Sequence, residues 1–156
     1  MSARVITTLN ELIAADYDAI AAYEAAGERL TASATRRQFE IFLDDHRQHV
    51  ETLTRAVKDL GGTPPSRGDY RQLLGKGRIY VGLLAGQQGL LAAMRSNELI
   101  VHERYRRAAF EEHLPAGLAK RVQQFFRDEC LHVGFIEDQK EGSLAATLPL
   151  FTDPAS

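Results

Sequence analysis

The chain has 156 residues, of which 44% are hydrophobic and 26% charged, enough for one domain that buries roughly two-thirds of the surface of its unfolded chain. A net charge of -2 leaves no basic footprint, which argues against nucleic acid or an acidic membrane surface as a partner. The single cysteine, Cys130, rules out an intrachain disulfide. The N-terminus lacks the basic start and apolar run of a secretion signal, so a cytoplasmic location is expected. The most apolar stretch, Ile79 to Met94, carries Gln87, Gln88 and three glycines and is shorter than the roughly 20 residues a bilayer-spanning helix needs.

From Thr8 to about Leu30, Leu9, Leu12, Ile13, Ile20, Tyr23, Gly27 and Leu30 recur at helical spacing and predict an amphipathic first helix. Thr31 to Thr35 supplies turn and N-cap chemistry. A second helix follows, with Phe39, Phe42, Leu53, Ala56 and Leu60 on its seam. It stops at Gly61-Gly62-Thr63-Pro64-Pro65, because glycine favours the left-handed cap and proline cannot continue a helix. A long connection to about Gly75 leads to a third helix that is predicted to reach His113. Leu114-Pro115 marks the next turn. The fourth helix runs from about Pro115 to Lys140 on a stripe of Leu118, Val122, Phe125, Phe126, Val133 and Ile136. The expected organisation is all-α: an antiparallel four-helix bundle over residues 1–141, two helical hairpins joined by a long crossover, followed by a C-terminal extension over 142–156.

Each apolar stripe is interrupted by ionisable residues where its own period demands core. The series are Leu9, Leu12, Asp16, Ile20, Tyr23; then Phe39, Phe42, His46, His49, Leu53; then Leu91, Met94, Glu98, Val101, Tyr105; then Val122, Phe125, Glu129, His132, Ile136. A lone buried charge costs several kcal/mol or neutralises itself, so four such interruptions in four helices call for a common cause. A metal ion supplies one, since carboxylate and imidazole are donors for iron, manganese or zinc. His46 with His49, and Glu129 with His132, are three apart and so project from one helix face.

The six residues also share a level. Measured from turns near Ala32 and Leu114, each lies roughly 14 to 18 residues away, about 21–27 Å along a helix axis. Asp16 and His46 are 30 residues apart and Glu98 and Glu129 are 31, as in two copies of one hairpin. The expected metal ligands are therefore Asp16, His46, His49, Glu98, Glu129 and His132. Tyr23, His102 and Tyr105 are expected around them as hydrogen-bonding partners.

These residues resemble those of the ferritin-like di-iron carboxylate proteins, in which two helices each give a glutamate and two each give Glu-x-x-His. LNELIAADYDAIAAY, residues 9–23, is similar to the first helix of bacterioferritins, with Asp16 at the place of their glutamate ligand. RDECLHVGFIE, residues 127–137, is similar to their Glu-x-x-His segment. KGRIYVGLL and NELIVHERYRRAAF look like rubrerythrin-like and small bacterial ferritin-like proteins. The resemblance covers about residues 8 to 140. One position departs from it: His46-x-x-His49 stands where the family has Glu-x-x-His, so three carboxylates and three histidines replace four and two. Less anionic charge should weaken a ferric pair and shift preference toward divalent ions or a single ion. Asp45, beside His46, lies at the edge of the seam.

The resemblance implies an iron cofactor, two ions per chain, with zinc or manganese compatible with the same donors. It implies iron oxidation or dioxygen or peroxide chemistry, which would make the chain a di-iron ferroxidase or oxidoreductase. Two other readings stand beside it. One is a hydroxylase similar to demethoxyubiquinone hydroxylase, with Tyr80 to Met94 receiving an apolar substrate. The other is a non-enzymatic bundle with a structural or lost metal site, which His46 favours. An exposed apolar stripe on so small a bundle allows a homodimer.

Overall fold

The computed structural model describes residues 2–30, 33–66 and 86–147. These form four helices, α1 (Ser2–Gly27), α2 (Ser33–Asp59), α3 (Gly86–Ala109) and α4 (Ala116–Thr147). The connection after residue 66, the expected helix start near Gly75, the first part of the Tyr80 to Met94 segment and the last residues of the extension lie outside the described residues.

Most of each stripe read from the sequence is buried, but in the fourth Leu118 and Phe126 are only partly buried and Val133 lies outside the core cluster. Leu9, Leu12, Ile20 and Tyr23 of α1, Phe39, Phe42 and Leu53 of α2, Leu91, Met94, Val101 and Tyr105 of α3, and Val122, Phe125 and Ile136 of α4 join one core. Three boundaries differ from expectation. α1 begins at Ser2 because its stripe extends one turn back through Val5, which is buried. α3 ends at Ala109 instead of His113. There Phe110 N–H and Glu111 N–H donate to the carbonyls of Arg107 and Ala108, the tightening typical of a helix end. α4 continues past Lys140 to Thr147. On α2 the inner residue near the C-terminus is Val57, with Ala56 and Leu60 only partly buried, since a 3.6-residue period drifts against a fixed seven-residue stripe.

Neighbouring helices run antiparallel. Thr35 near the start of α2 bonds Gln139 near the end of α4, and Thr8 near the start of α1 meets His113 beyond the end of α3. The α1–α2 and α3–α4 turns consequently sit at opposite ends of the bundle. Residues about halfway along each helix still share a level, the condition for their side chains to converge. Buried alanines at 15, 19, 22 and 26 let α1 pack closely into the bundle, while α2 and α4 are the least closely packed pair of neighbours.

The stop of α2 is built as its sequence implies. Gly61 has φ +76°, its N–H donates to Lys58 O and Gly62 N–H donates to Val57 O at 2.8 Å, the paired bonds of a Schellman cap. A Cβ on Gly62 would lie 2.9 Å from side-chain carbons of Ile6 and Val57, so the chain leaves α2 pressed against α1. Gly61→Ala places a side chain in the left-handed region and is expected to cost about 1–2 kcal/mol, read as a lower urea midpoint. Gly117, near the start of α4, has open space around it, and a Cβ there would meet nothing within 4 Å. Gly117→Ala is expected to leave the midpoint unchanged or raise it.

Candidate metal centre

Asp16, His46, His49, Glu98, Glu129 and His132 are all buried at mid-height. Their donor atoms form two groups, each with atoms within 4.8 Å of one another: Asp16, His46, His49 and Glu129, and His46, Glu98, Glu129 and His132. His46 and Glu129 belong to both. His49 Nδ1 and His46 Nδ1 each lie 3.6 Å from Glu129 Oε1, while His132 Nδ1 lies 3.8 Å from Glu129 Oε2. Glu129 thus turns one oxygen to each group. His46 Nε2 is 3.4 Å from Glu98 Oε1, and Glu98 Oε2 is 3.6 Å from His132 Nδ1.

Every histidine of the cluster has its other ring nitrogen against a carboxylate from a different helix. His46 Nδ1 is 2.9 Å from Asp16 Oδ1, His49 Nε2 is 3.3 Å from Asp128 Oδ2, and His132 Nε2 is 3.1 Å from Asp45 Oδ2. Tyr105 donates to the second oxygen of Asp16 at 2.6 Å. What remains without a hydrogen-bond partner is the inward set: His46 Nε2, His49 Nδ1, His132 Nδ1 and both oxygens of Glu98 and of Glu129. Buried polar atoms are rarely left in this way, because each costs about 1–3 kcal/mol and more when charged. A cation among them would satisfy all of them together, and a carboxylate behind each imidazole is the usual support of a metal-bound histidine.

Asp45 and Asp128 are the acids that the spacing argument did not assign. They are bound to each other's helices, Asp45 of α2 to His132 of α4 and Asp128 of α4 to His49 of α2. The signal was present as a repeat, Asp45-His46-x-x-His49 against Asp128-Glu129-x-x-His132. Asp45 does not enter the inner set. With side chains 37% and 26% exposed, Asp45 and Asp128 connect the buried cluster to water on the α2–α4 side.

Of the three expected surrounding residues, Tyr105 bonds Asp16. Tyr23 is buried with its ring 5.6 Å from that of His46 and its hydroxyl unpartnered. His102 lies elsewhere: its Nε2 is 3.5 Å from Cys130 Sγ and its ring packs on Phe126 at 5.1 Å. One turn after Glu98 the helix has rotated about 40° past a full circle, which carries His102 off the seam. Phe42, its ring tilted and 4.1 Å from that of His132, and Phe125, stacked 4.0 Å from His49, set apolar rings against two imidazoles of the cluster.

Charge is unevenly held. Burial disfavours an imidazolium at His46, yet Glu129, Glu98 and Asp16 outweigh it and hold the pKa well above the ordinary histidine value. Burial also opposes ionisation of Asp16, but His46 and His49 pull its pKa below the usual range. Burial raises Glu98 too, and His46 and His132 reverse that to a lowered value. Glu129 is pushed well above the ordinary carboxylate value, by burial first and then by Glu98 and Asp16 against the opposing pull of His46. One ionised carboxylate too many is packed into the centre unless a further cation joins it.

Two substitutions separate support from strain in protein stripped of metal by a chelator. Tyr105→Phe keeps the ring and leaves Asp16 Oδ2 without its donor, and a loss of about 1–3 kcal/mol is expected in chemical denaturation. Glu129→Gln removes a carboxylate that burial and its neighbours disfavour. A higher denaturation midpoint is expected for the same stripped protein.

Comparison with known proteins agrees with this architecture. The fold matches a solved structure described as "ferritin like, diiron-carboxylate proteins from Bacillus anthracis str. Ames", with a TM-score of 0.68 and 21% identity, over 89% of this chain and 96% of that one. The bundle is therefore ferritin-like. No curated protein sequence matches the chain. Residues 4–110, from the start of α1 to just past the end of α3, match the family described as Domain of unknown function (DUF2383), and the chain belongs to that family.

Proposed function

We propose that this protein binds iron in the buried cluster and acts in ferrous oxidation or in reaction with dioxygen or peroxide. The observation that carries the reading is the set of unpartnered inward atoms, His46 Nε2, His49 Nδ1, His132 Nδ1 and the Glu98 and Glu129 oxygens, each histidine backed by a carboxylate. The donor set fits a divalent metal, with nitrogen and oxygen donors that suit iron, zinc and manganese. Bound iron would supply a one-electron redox change and coordination positions left open by the protein's few ligands. The ferritin-like fold, shared with a protein whose description names a di-iron carboxylate centre, supports iron over the alternatives.

The chain's own residues set the conditions for that chemistry. Asp45 and Asp128 hold His132 and His49 so that their Nδ1 atoms face inward. The six residues are themselves buried, with Phe42 and Phe125 against two of the imidazoles, and the exclusion of bulk water strengthens every charge interaction there. Tyr23, whose hydroxyl is buried and unpartnered beside the carboxylates, is placed to donate a hydrogen bond toward them. Its pKa is held well above the usual phenol value by burial and by the charges of Glu98 and Glu129, so it stays protonated.

A second reading, a structural zinc-type site without redox chemistry, is favoured by one observation: His46 stands among the carboxylates as a base held to Asp16 at 2.9 Å, lowering the anionic charge available to a ferric ion. Anaerobic ferrous titration of the stripped protein tests the first reading. Saturable binding is expected, its tight phase lost in His132→Ala and weakened roughly 10–100-fold by Asp45→Ala, which removes only the outer partner of His132. Admitting air should then oxidise iron faster than buffer alone. Binding without accelerated oxidation would favour the structural reading, and no binding would defeat both.

A further inference from the structure

The two groups of donors are not equivalent, although they share His46 and Glu129. In the group of His46, Glu98, Glu129 and His132, the inward atoms His46 Nε2, Glu98 Oε1 and Oε2, Glu129 Oε1 and Oε2 and His132 Nδ1 all lack a hydrogen-bond partner. In the other group both oxygens of Asp16 are engaged, one by His46 Nδ1 at 2.9 Å and one by the Tyr105 hydroxyl at 2.6 Å. Only His49 Nδ1 and Glu129 are free there.

The ring of His46 decides between the groups. A carboxylate accepts hydrogen bonds and cannot donate one when ionised, so a ring nitrogen 2.9 Å from Asp16 Oδ1 carries the proton. When a cation takes the place of the Nε2 proton, the ring is a neutral imidazole whose single lone pair is on that nitrogen, and His46 Nε2 faces Glu98. His46 is therefore already arranged as a ligand toward Glu98 and His132, with Asp16 as the carboxylate behind it. This is the relation that Asp45 has to His132 and Asp128 to His49. To serve the Asp16 side instead, His46 would have to lose its bond to Asp16 and leave that carboxylate short of a donor, in a core walled off from bulk water.

Resting on the metal-binding reading above, we infer that a first divalent cation is held by His46 Nε2, Glu98, Glu129 and His132, and that Asp16 is a positioning residue for His46 instead of a ligand of that ion. A second cation, beside His49 and Glu129, binds more weakly because His46 turns its Nδ1–H to Asp16 and offers that side no lone pair. The chain is on this account a one-ion protein at limiting metal and a two-ion protein only in excess.

Cobalt(II) is the probe, added to the chelator-stripped full chain and followed by calorimetry and by visible absorption. Two steps are expected, the first at least about tenfold tighter than the second. His132→Ala should remove the first step and His49→Ala the second alone. Asp16→Asn, which keeps an oxygen acceptor for His46 Nδ1–H, should change the first step by less than about threefold, while Asp16→Ala should weaken it roughly 10–100-fold. Circular dichroism confirms that each variant stays helical. A crystal of the unaltered protein grown with one equivalent of cobalt needs no variant and should give one anomalous peak, bounded by His46, Glu98, Glu129 and His132. A peak beside Asp16 and His49 overturns the inference, as does Asp16→Asn costing as much as His132→Ala. Two ions bound with equal affinity overturn it while leaving the metal-binding reading in place. No cobalt bound at all removes both.

Discussion

Three carboxylates and three imidazoles are buried at one level of a core that, among the described residues, is otherwise almost wholly leucine, isoleucine, valine, methionine, alanine and aromatic side chains. Desolvating so many ionisable groups is tolerable only where each has a partner or a cation nearby, and the remaining features of the site follow from that requirement. Asp16 is tied to His46 and Tyr105, and His49 and His132 are tied to acids at the bundle surface. The atoms left over all face one another. The bundle tolerates so polar a centre because the apolar stripes above and below the cluster supply the burial that holds the helices together.

Much of this was legible in the sequence, and for one reason. A helix stripe in a bundle is so strongly apolar that Asp16, His46, His49, Glu98, Glu129 and His132 stand out as interruptions, and the helical rise puts them at a common height. The Gly61-Gly62 stop was equally plain, because a left-handed cap needs glycine at that place. Asp45 and Asp128 were legible only as a repeat, each one residue before an interruption of its stripe. An acid next to a core residue, partly exposed, looks like any solvated residue on a helix flank, and its partner is on a helix distant in sequence. His102 was misplaced because one turn of helix returns a residue near its starting angle but not to it, and the remaining offset was enough to deliver the ring to Cys130 and Phe126. The early start of α1 rested on Val5 and the partly buried Ile6, too little for a period to declare itself.

His46 could be recognised as a departure from the Glu-x-x-His pattern, but its meaning needed coordinates. In sequence it is a lost carboxylate. In the structure it is an imidazole whose one nitrogen is held by Asp16 while the other points at Glu98. The substitution changes the symmetry of the centre more than its size, since a carboxylate presents two like oxygens to two neighbours whereas a neutral imidazole presents one donor and one acceptor.

The crossed pairs Asp45–His132 and Asp128–His49 join α2 to α4, the two neighbouring helices that are packed least closely. They are also the points where the cluster meets solvent. An ion held in the centre would meet these pairs on this side, and parting them would separate the two helices locally. The residence of such an ion would then depend on how often that seam breathes as well as on its donor bonds, a property of the backbone that amide hydrogen exchange along α2 and α4 reports.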